Sequence, residues 1–352
     1  MSVQPLFEVT RGRIVESVHY GSIAIVDSKG KLIASYGDPK MVAFLRSSAK
    51  PFQALPFVER GGAEHFGFTQ KELAISCASH EGSDLHVQTV RALQQKIGVT
   101  EADLQCGTHM PGDVDELKSL IVHDNRPSIN HNNCSGKHTA MLAHAKMRGL
   151  PLDNYLDPRH PIQKDILTTF AEMCQLTIKE VELGTDGCSA PNFAVPLYNA
   201  ALAFARLCDP HDLSEARGAA CQKIAAAMTA YPEMVSGYGE FDEQLMKVSE
   251  GKIVCKRGAE GYQIIGLLPG VLSADSPGIG ITMKVSDGDA SRMGSGLEST
   301  NRVRPAVTIE ILRQLGVLSS KQEQALAPFG PEKSLTNHRE IVTGKSRPTF
   351  KL

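Results

Sequence analysis

The chain predicts an α+β fold: an antiparallel sheet built from both chain ends around an inserted helical region. Three observations carry this. Short β-branched runs crowd the first ~45 residues and return after Lys252. Capped or alanine-rich helical patterns fill most of the stretch between. No internal repeat and no low-complexity linker divides the 352 residues. The expected organisation is a single unit over 1–352, its sheet part at about 1–60 plus 250–352 and its helical part at about 61–249.

The elements follow in order. Ser22-Ile23-Ala24-Ile25-Val26-Asp27 and Lys31-Leu32-Ile33-Ala34-Ser35 flank Ser28-Lys29-Gly30, the pattern of a hairpin or meander. Pro51 fits the first turn of a helix, yet it biases Lys50 away from helical geometry. Thr69-Gln70-Lys71-Glu72 is a capping box opening a helix toward Cys77. A further helix is expected over 84–97, ending near Gly98, and another from Gly136 to Met147, stopped by Gly149. The helix Pro161 to Cys174 starts with a first-turn proline. Pro196 to Leu207 and Leu213 to Met228 are alanine-rich and helical. Strands return at Lys252 to Cys255, Tyr262 to Leu268 and Ile279 to Val285, then helices at Val303 to Leu315 and Lys321 to Leu326. The acidic loop Ser286-Asp287-Gly288-Asp289 lacks the spacing of a calcium loop and is expected to be a hairpin turn.

Composition removes several function classes. The 37 basic and 39 acidic residues leave a formal charge of −2, with no basic block and only 5% aromatic residues, so no nucleic-acid partner is expected. No apolar run approaches the ~20 residues that span a bilayer. Met1-Ser2-Val3-Gln4-Pro5 has no secretory n-region or h-region. Eight scattered cysteines do not form a disulfide framework, and Cys174, Cys208 and Cys221 lie on helical patterns as buried thiols. The expectation is a cytoplasmic protein with no membrane partner and no organic cofactor.

Five segments carry chemistry. In Ser47-Ser48-Ala49-Lys50 a lysine stands one helical turn after a serine, where a neutral amine can take the hydroxyl proton. Late in the chain comes Lys256-Arg257-Gly258; an early S-x-x-K with a late K-x-G on a strand is the layout of serine β-lactamases and penicillin-binding proteins. Ser79-His80-Glu81-Gly82 offers a second hydroxyl, with His80 and Glu81 as acid or base. Gly258-Ala259-Glu260-Gly261 suits close backbone approach to a ligand. Cys134 and Cys188 sit in polar glycine-containing turns. With Lys137, His138 and Asp186 they read as a soft metal site, as a thiol nucleophile with His138 as base, or as inert buried thiols. Together the segments point to an amidohydrolase.

As a set they resemble the rhizobial-type (class 3) L-asparaginases, also catalogued as bacterial L-asparaginase II, which have a serine β-lactamase-like fold. The resemblance runs from Val9 to Arg313. It rests on Leu45 to Pro51, Ser79 to Gly82, Asn133 to His138, Thr185 to Cys188, Lys256 to Gly261 and Gly278 to Ile281. It implies one Ser47–Lys50 pair and a second, facing pair of Ser79 with Lys256. It implies zinc on Cys134, Lys137 and Cys188, with Asp186 orienting the metal-bound water and Arg46 supporting the site. His80, Glu81, Gly258 and Glu260 join as substrate-binding or supporting residues. A lysine ligand must be neutral, so its pKa would have to fall far below ~10.4. A homodimer is implied as well. The T-G-G-T-I segment of the threonine-dependent bacterial asparaginases is absent, and Gly184-Thr185 is followed by Asp186-Gly187-Cys188, unlike the self-cleaving class.

The activity this implies is hydrolysis of L-asparagine to L-aspartate and ammonia, with either serine open as the nucleophile. Rival readings are a glutaminase or other small-amide amidase, a zinc hydrolase in which the metal makes the nucleophile, and a non-catalytic amino-acid-binding sensor. Two serines each matched by a lysine argue against the sensor.

Overall fold

Strands from both chain termini meet in one antiparallel sheet. The computed structural model describes residues 3–289 and 302–352. Its strands are β1 (Gln4–Arg11), β2 (Ile14–Asp27), β3 (Leu32–Tyr36), β4 (Val42–Phe44), β5 (Glu182–Thr185), β6 (Pro191–Pro196), β7 (Ile253–Gly258), β8 (Tyr262–Leu267), β9 (Ile279–Val285), β10 (Lys333–Thr336) and β11 (Val342–Pro348). Eight of them form one sheet in the order β10-β11-β1-β2-β9-β8-β7, with β3 also on β2. The β2–β9 register sets Ile23 opposite Met283 and Ile25 opposite Ile281. Those residues share one face and are fully buried, and Ala24 and Thr282 on the other face are fully buried too, so the sheet is covered on both sides here.

Two helices provide the cover. The Thr282 hydroxyl donates to the carbonyl of Leu197, at the start of the helix Leu197–Cys208. The next residue, Met283, meets Thr308 of the helix Val303–Gln314. Adjacent strand residues point to opposite faces, so the two helices sandwich the sheet. Gly280 permits the closeness of the first: a Cβ there would lie 1.7 Å from the Ala201 carbonyl oxygen. The helical region packs beyond, and one hydrophobic core runs from Leu6 through Phe52, Phe170 and Phe204 to Leu312.

A second, three-stranded sheet β4-β6-β5 joins Val42–Phe44 to two strands inside the helical region, and the sequence reading lacked it. It lacked the helices Val114–Val122 and Phe241–Val248 as well, and the edge pair β10–β11. The β10 and β11 segments are largely polar and exposed, so no apolar alternation marks them. The other expected helices and strands stand within a few residues of their expected bounds. The capping box at Thr69 is formed in full. The tension at Pro51 resolves simply: a 3-10 turn Arg46–Ala49 feeds the helix Lys50–Glu59, with Pro51 in its first turn and Lys50 helical at φ −59°. The Asp289 carboxylate accepts the backbone N–H groups of Val303 and Arg304, so it caps a helix.

Candidate active site

The turn Arg46–Ala49 stands where the two sheets and the helical region meet. Leu45 N–H donates to Phe193 on β6, and Arg46 N–H donates to the Asn192 side chain at 3.1 Å. Arg46 is held at φ +52°, a left-handed conformation uncommon for a residue with a side chain. Its guanidinium Nε donates to Asp186 at 2.8 Å, and Glu260 lies 4.0 Å away. From the other side β7 presses on the turn. Ser48 Oγ donates to the Lys256 carbonyl at 2.9 Å, and a Cβ on Gly258 would come within 2.4 Å of the Leu45 carbonyl oxygen. Gly258 therefore serves the approach of strand to turn.

Two buried amines converge on one hydroxyl. Lys50 Nζ lies 2.8 Å from Ser79 Oγ, and Lys256 Nζ lies 3.0 Å from the same atom. Lys50 also donates to the carbonyls of Ala78 and Asn133, and Lys256 to that of Arg257. None of the Lys50 contacts is to Ser47. That serine is only partly buried, whereas Ser79 is 4% exposed. Burial pushes the Lys50 amine down, against the neighbouring Cys134. Burial also pushes Lys256 down, to about 7, with Lys50, Arg257 and Arg304 adding to the effect and Asp242 opposing it. Such an amine is neutral over much of the physiological range and can accept a hydroxyl proton.

The thiols lie beside this group. Asn133 precedes Cys134, at the head of the buried helix Ser135–Met147. Lys137 Nζ is 3.0 Å from Cys188 Sγ, and both cysteines are buried. A hydrogen bond from Cys134 and the charge of Lys137 hold Cys188 far below the usual thiol range, as thiolate. Lys137 is raised despite its burial, because it faces that thiolate. His138 bonds the Tyr155 hydroxyl through Nδ1 at 2.6 Å, while its ring also acts on Cys188. Among the described residues no three or more His, Cys, Asp or Glu side chains form a metal-holding group; beside the two thiols stands the Lys137 amine.

His80 and Glu81 follow Ser79 along the chain and are engaged with other partners. His80 accepts from Gly82 N–H at Nδ1, so Nε2 carries the proton and donates to Ser135 Oγ at 2.9 Å. Both ring nitrogens are engaged, and burial pushes its pKa well down. Glu81 pairs with Arg257, which also pairs with Glu240. Burial raises the Glu81 pKa against that partner. The sequence reading missed Asn133, Asn192 and Asp242. Asn133 was quoted only as a flank of Cys134, and nothing local distinguishes the other two from ordinary polar residues.

A hydroxyl flanked by depressed amines is equipment for acyl transfer, and the class is confirmed from the whole sequence: this is an amide hydrolase. The family model described as L-asparaginase II matches residues 7–348, and the chain belongs to that family. No curated protein matches the chain. Among solved structures, it is similar to a probable glutaminase from Bacillus subtilis complexed with 6-diazo-5-oxo-L-norleucine, at 10% identity and TM-score 0.39, covering 84% of each chain. It is also similar to a protein titled Mglu, at 15% identity and TM-score 0.43, over 85% of this chain and 68% of that one. A third is a β-lactamase from Mycobacterium bovis, at 13% identity and TM-score 0.41, over 85% and 95%.

Proposed function

We propose that this protein hydrolyses L-asparagine to L-aspartate and ammonia by serine–lysine catalysis. The observation that carries the reading is the Lys50–Ser79–Lys256 line, one hydroxyl within 3.0 Å of two buried amines, beside the accessible Ser47. Ser47 attacks the side-chain amide carbon and passes its proton to Lys50 in the neutral form that burial favours, a transfer for which the amine must turn from Ser79 toward Ser47. Ser79 accepts a proton from Lys50 as it passes its own to Lys256, which then protonates the departing ammonia. Backbone amides at this helix start stabilise the oxyanion. Water hydrolyses the acyl-enzyme. Burial favours Ser47 over Ser79 as nucleophile, because substrate must reach the attacking oxygen.

Cys134, Lys137 and Cys188 are proposed to hold zinc. Two buried sulfurs, one a thiolate, form a soft pair suited to that ion; Lys137, 3.0 Å from Cys188 and held charged by it, would join them only by losing a proton as the ion binds. When bound, zinc supplies fixed positive charge that helps place the substrate. Asp186, held by Arg46 and the Gly187 N–H, stands beside this group as an orienting carboxylate.

The deciding measurement is ammonia release by the purified protein with L-asparagine and L-glutamine in parallel. Release from asparagine alone supports the reading. Equal release from both makes the enzyme a broader amidase, since one methylene is worth only ~1–3 kcal/mol in a pocket. Release from neither, with zinc supplied, overturns it.

A further inference from the structure

The peptide unit joining Lys256 to Arg257 is clamped from two sides. Its carbonyl accepts from Ser48 Oγ at 2.9 Å, and its N–H donates to Asp242 Oδ2 at 2.5 Å. β7 is the last strand of its sheet, and the two groups of one peptide point opposite ways, so one of these two side chains stands on the open edge in place of a neighbouring strand. Asp242 comes from the helix Phe241–Val248 and is 1% exposed. Its other oxygen receives Gln263 Nε2 at 3.2 Å, and Arg304 Nη1 and Cys255 Sγ at 3.4 Å. Strand alternation puts the Cys255 side chain on one face of β7 and the Lys256 side chain on the other. Asp242 therefore lies behind the strand, away from Ser79, where it touches the catalytic amine only through the backbone.

We propose that Asp242, balanced by Arg304, is a positioning residue that fixes the Lys256 backbone and sets the electric field at the Lys256 amine. The inference rests on Lys256 acting as the relay amine described above. Burying a carboxylate is costly unless its partners are fixed, and this one is fully partnered. It is also the single anion among the charged groups that act most strongly on Lys256. The others are Lys50 from the helix Lys50–Glu59, Arg257 from the same strand and Arg304 from the helix Val303–Gln314. The thiols of Cys77 and Cys255 also face the amine, and burial holds both protonated. Without Asp242, the charges of Arg257 and Arg304, and of Lys50 when it is protonated, would act on the amine without this offset. Without Arg304, the carboxylate would act on it more strongly.

The test uses two substitutions of opposite sign. Asp242→Asn removes the charge and keeps one oxygen for the Arg257 N–H, its NH2 then facing Gln263 and Arg304; Arg304→Gln removes the counter-charge. The readout is the titration midpoint of the Lys256 side chain, followed by NMR of 13Cε-lysine in the full-length protein and assigned with Lys256→Met. Asp242→Asn is expected to lower the midpoint by about one pH unit or more, and Arg304→Gln to raise it comparably. The low-pH limb of kcat/KM should move with it in each variant. Midpoints that stay in place, or move the same way in both variants, overturn the proposal. If Asp242→Asn does not fold, Arg304→Gln alone decides, and no upward shift overturns it. A midpoint that moves while the kcat/KM limb does not would leave the Asp242 assignment standing and sink the catalytic reading of Lys256.

Discussion

Ser48 donates its hydroxyl proton to the carbonyl of Lys256 at 2.9 Å, across 208 residues of sequence. This bond joins the turn that carries one serine to the strand that carries one amine. Two residues further along β7, Gly258 makes the approach possible, with no Cβ to strike the Leu45 carbonyl oxygen. Gly258→Ala should push strand and turn apart. The expected cost is ~1–3 kcal/mol of stability, read as a lower thermal midpoint. Activity per folded molecule should fall more than tenfold, because reacting groups tolerate little displacement. An active, equally stable variant would refute this role for the glycine.

The two serines should differ in the way they fail. Ser47→Ala removes the attacking oxygen and should lower kcat by at least about 10³-fold with no covalent adduct formed. Ser79→Ala breaks the proton line but leaves the nucleophile. It should also lose most turnover, yet still form an acyl adduct slowly with an activated amide, detectable by intact-mass spectrometry. Full activity in Ser47→Ala, or an adduct only when Ser79 is present, would reverse the assignment.

The pH profile follows from the Lys256 amine, which burial lowers to about 7. The relay needs this amine neutral at the start, so that it can accept the Ser79 proton. Below the midpoint the amine is charged and the line is blocked. The profile of kcat/KM should therefore rise with pH through about 7 and flatten above it. A fall across the same range would mean that the protonated form is the working one.

The segments that the structure brings together are legible in the sequence, though their wiring is not. Ser47, Lys50, Ser79 and Lys256 each lie in a short polar segment beside an apolar run, and such segments mark site walls. The expected pairing joined Lys50 to Ser47 through helical spacing. The structure turns Lys50 to Ser79 instead, because the 3-10 turn before Lys50 and the packing of Ala78 and Asn133 around its amine decide the direction. Local spacing says which residues can meet on one helix. It does not report a hydroxyl delivered by another element. The same limit hid Asp242, whose meaning comes from the peptide it clamps on a distant strand. The β10–β11 pair was hidden for a different reason: a polar edge ladder is held mainly by its backbone, and period-two hydrophobicity is blind to that.

The thiol group allows a prediction that separates placement from chemistry. With Cys134, Lys137 and Cys188 as ligands, the purified protein should bind about one zinc per chain, measured by elemental analysis after dialysis. Cys188→Ser should abolish that stoichiometry, since it removes the thiolate held against Lys137 at 3.0 Å. Affinity should weaken as pH falls, because every ligand must be deprotonated to bind. The kinetic consequence depends on what zinc does. The proton line through Ser79 contains none of the three ligands, so stripping the metal should leave it intact. KM for L-asparagine should then rise well beyond the change in kcat, and added zinc should restore it. The opposite split, with kcat abolished and KM unchanged, would mean that the metal generates the nucleophile and that the serine–lysine line is secondary.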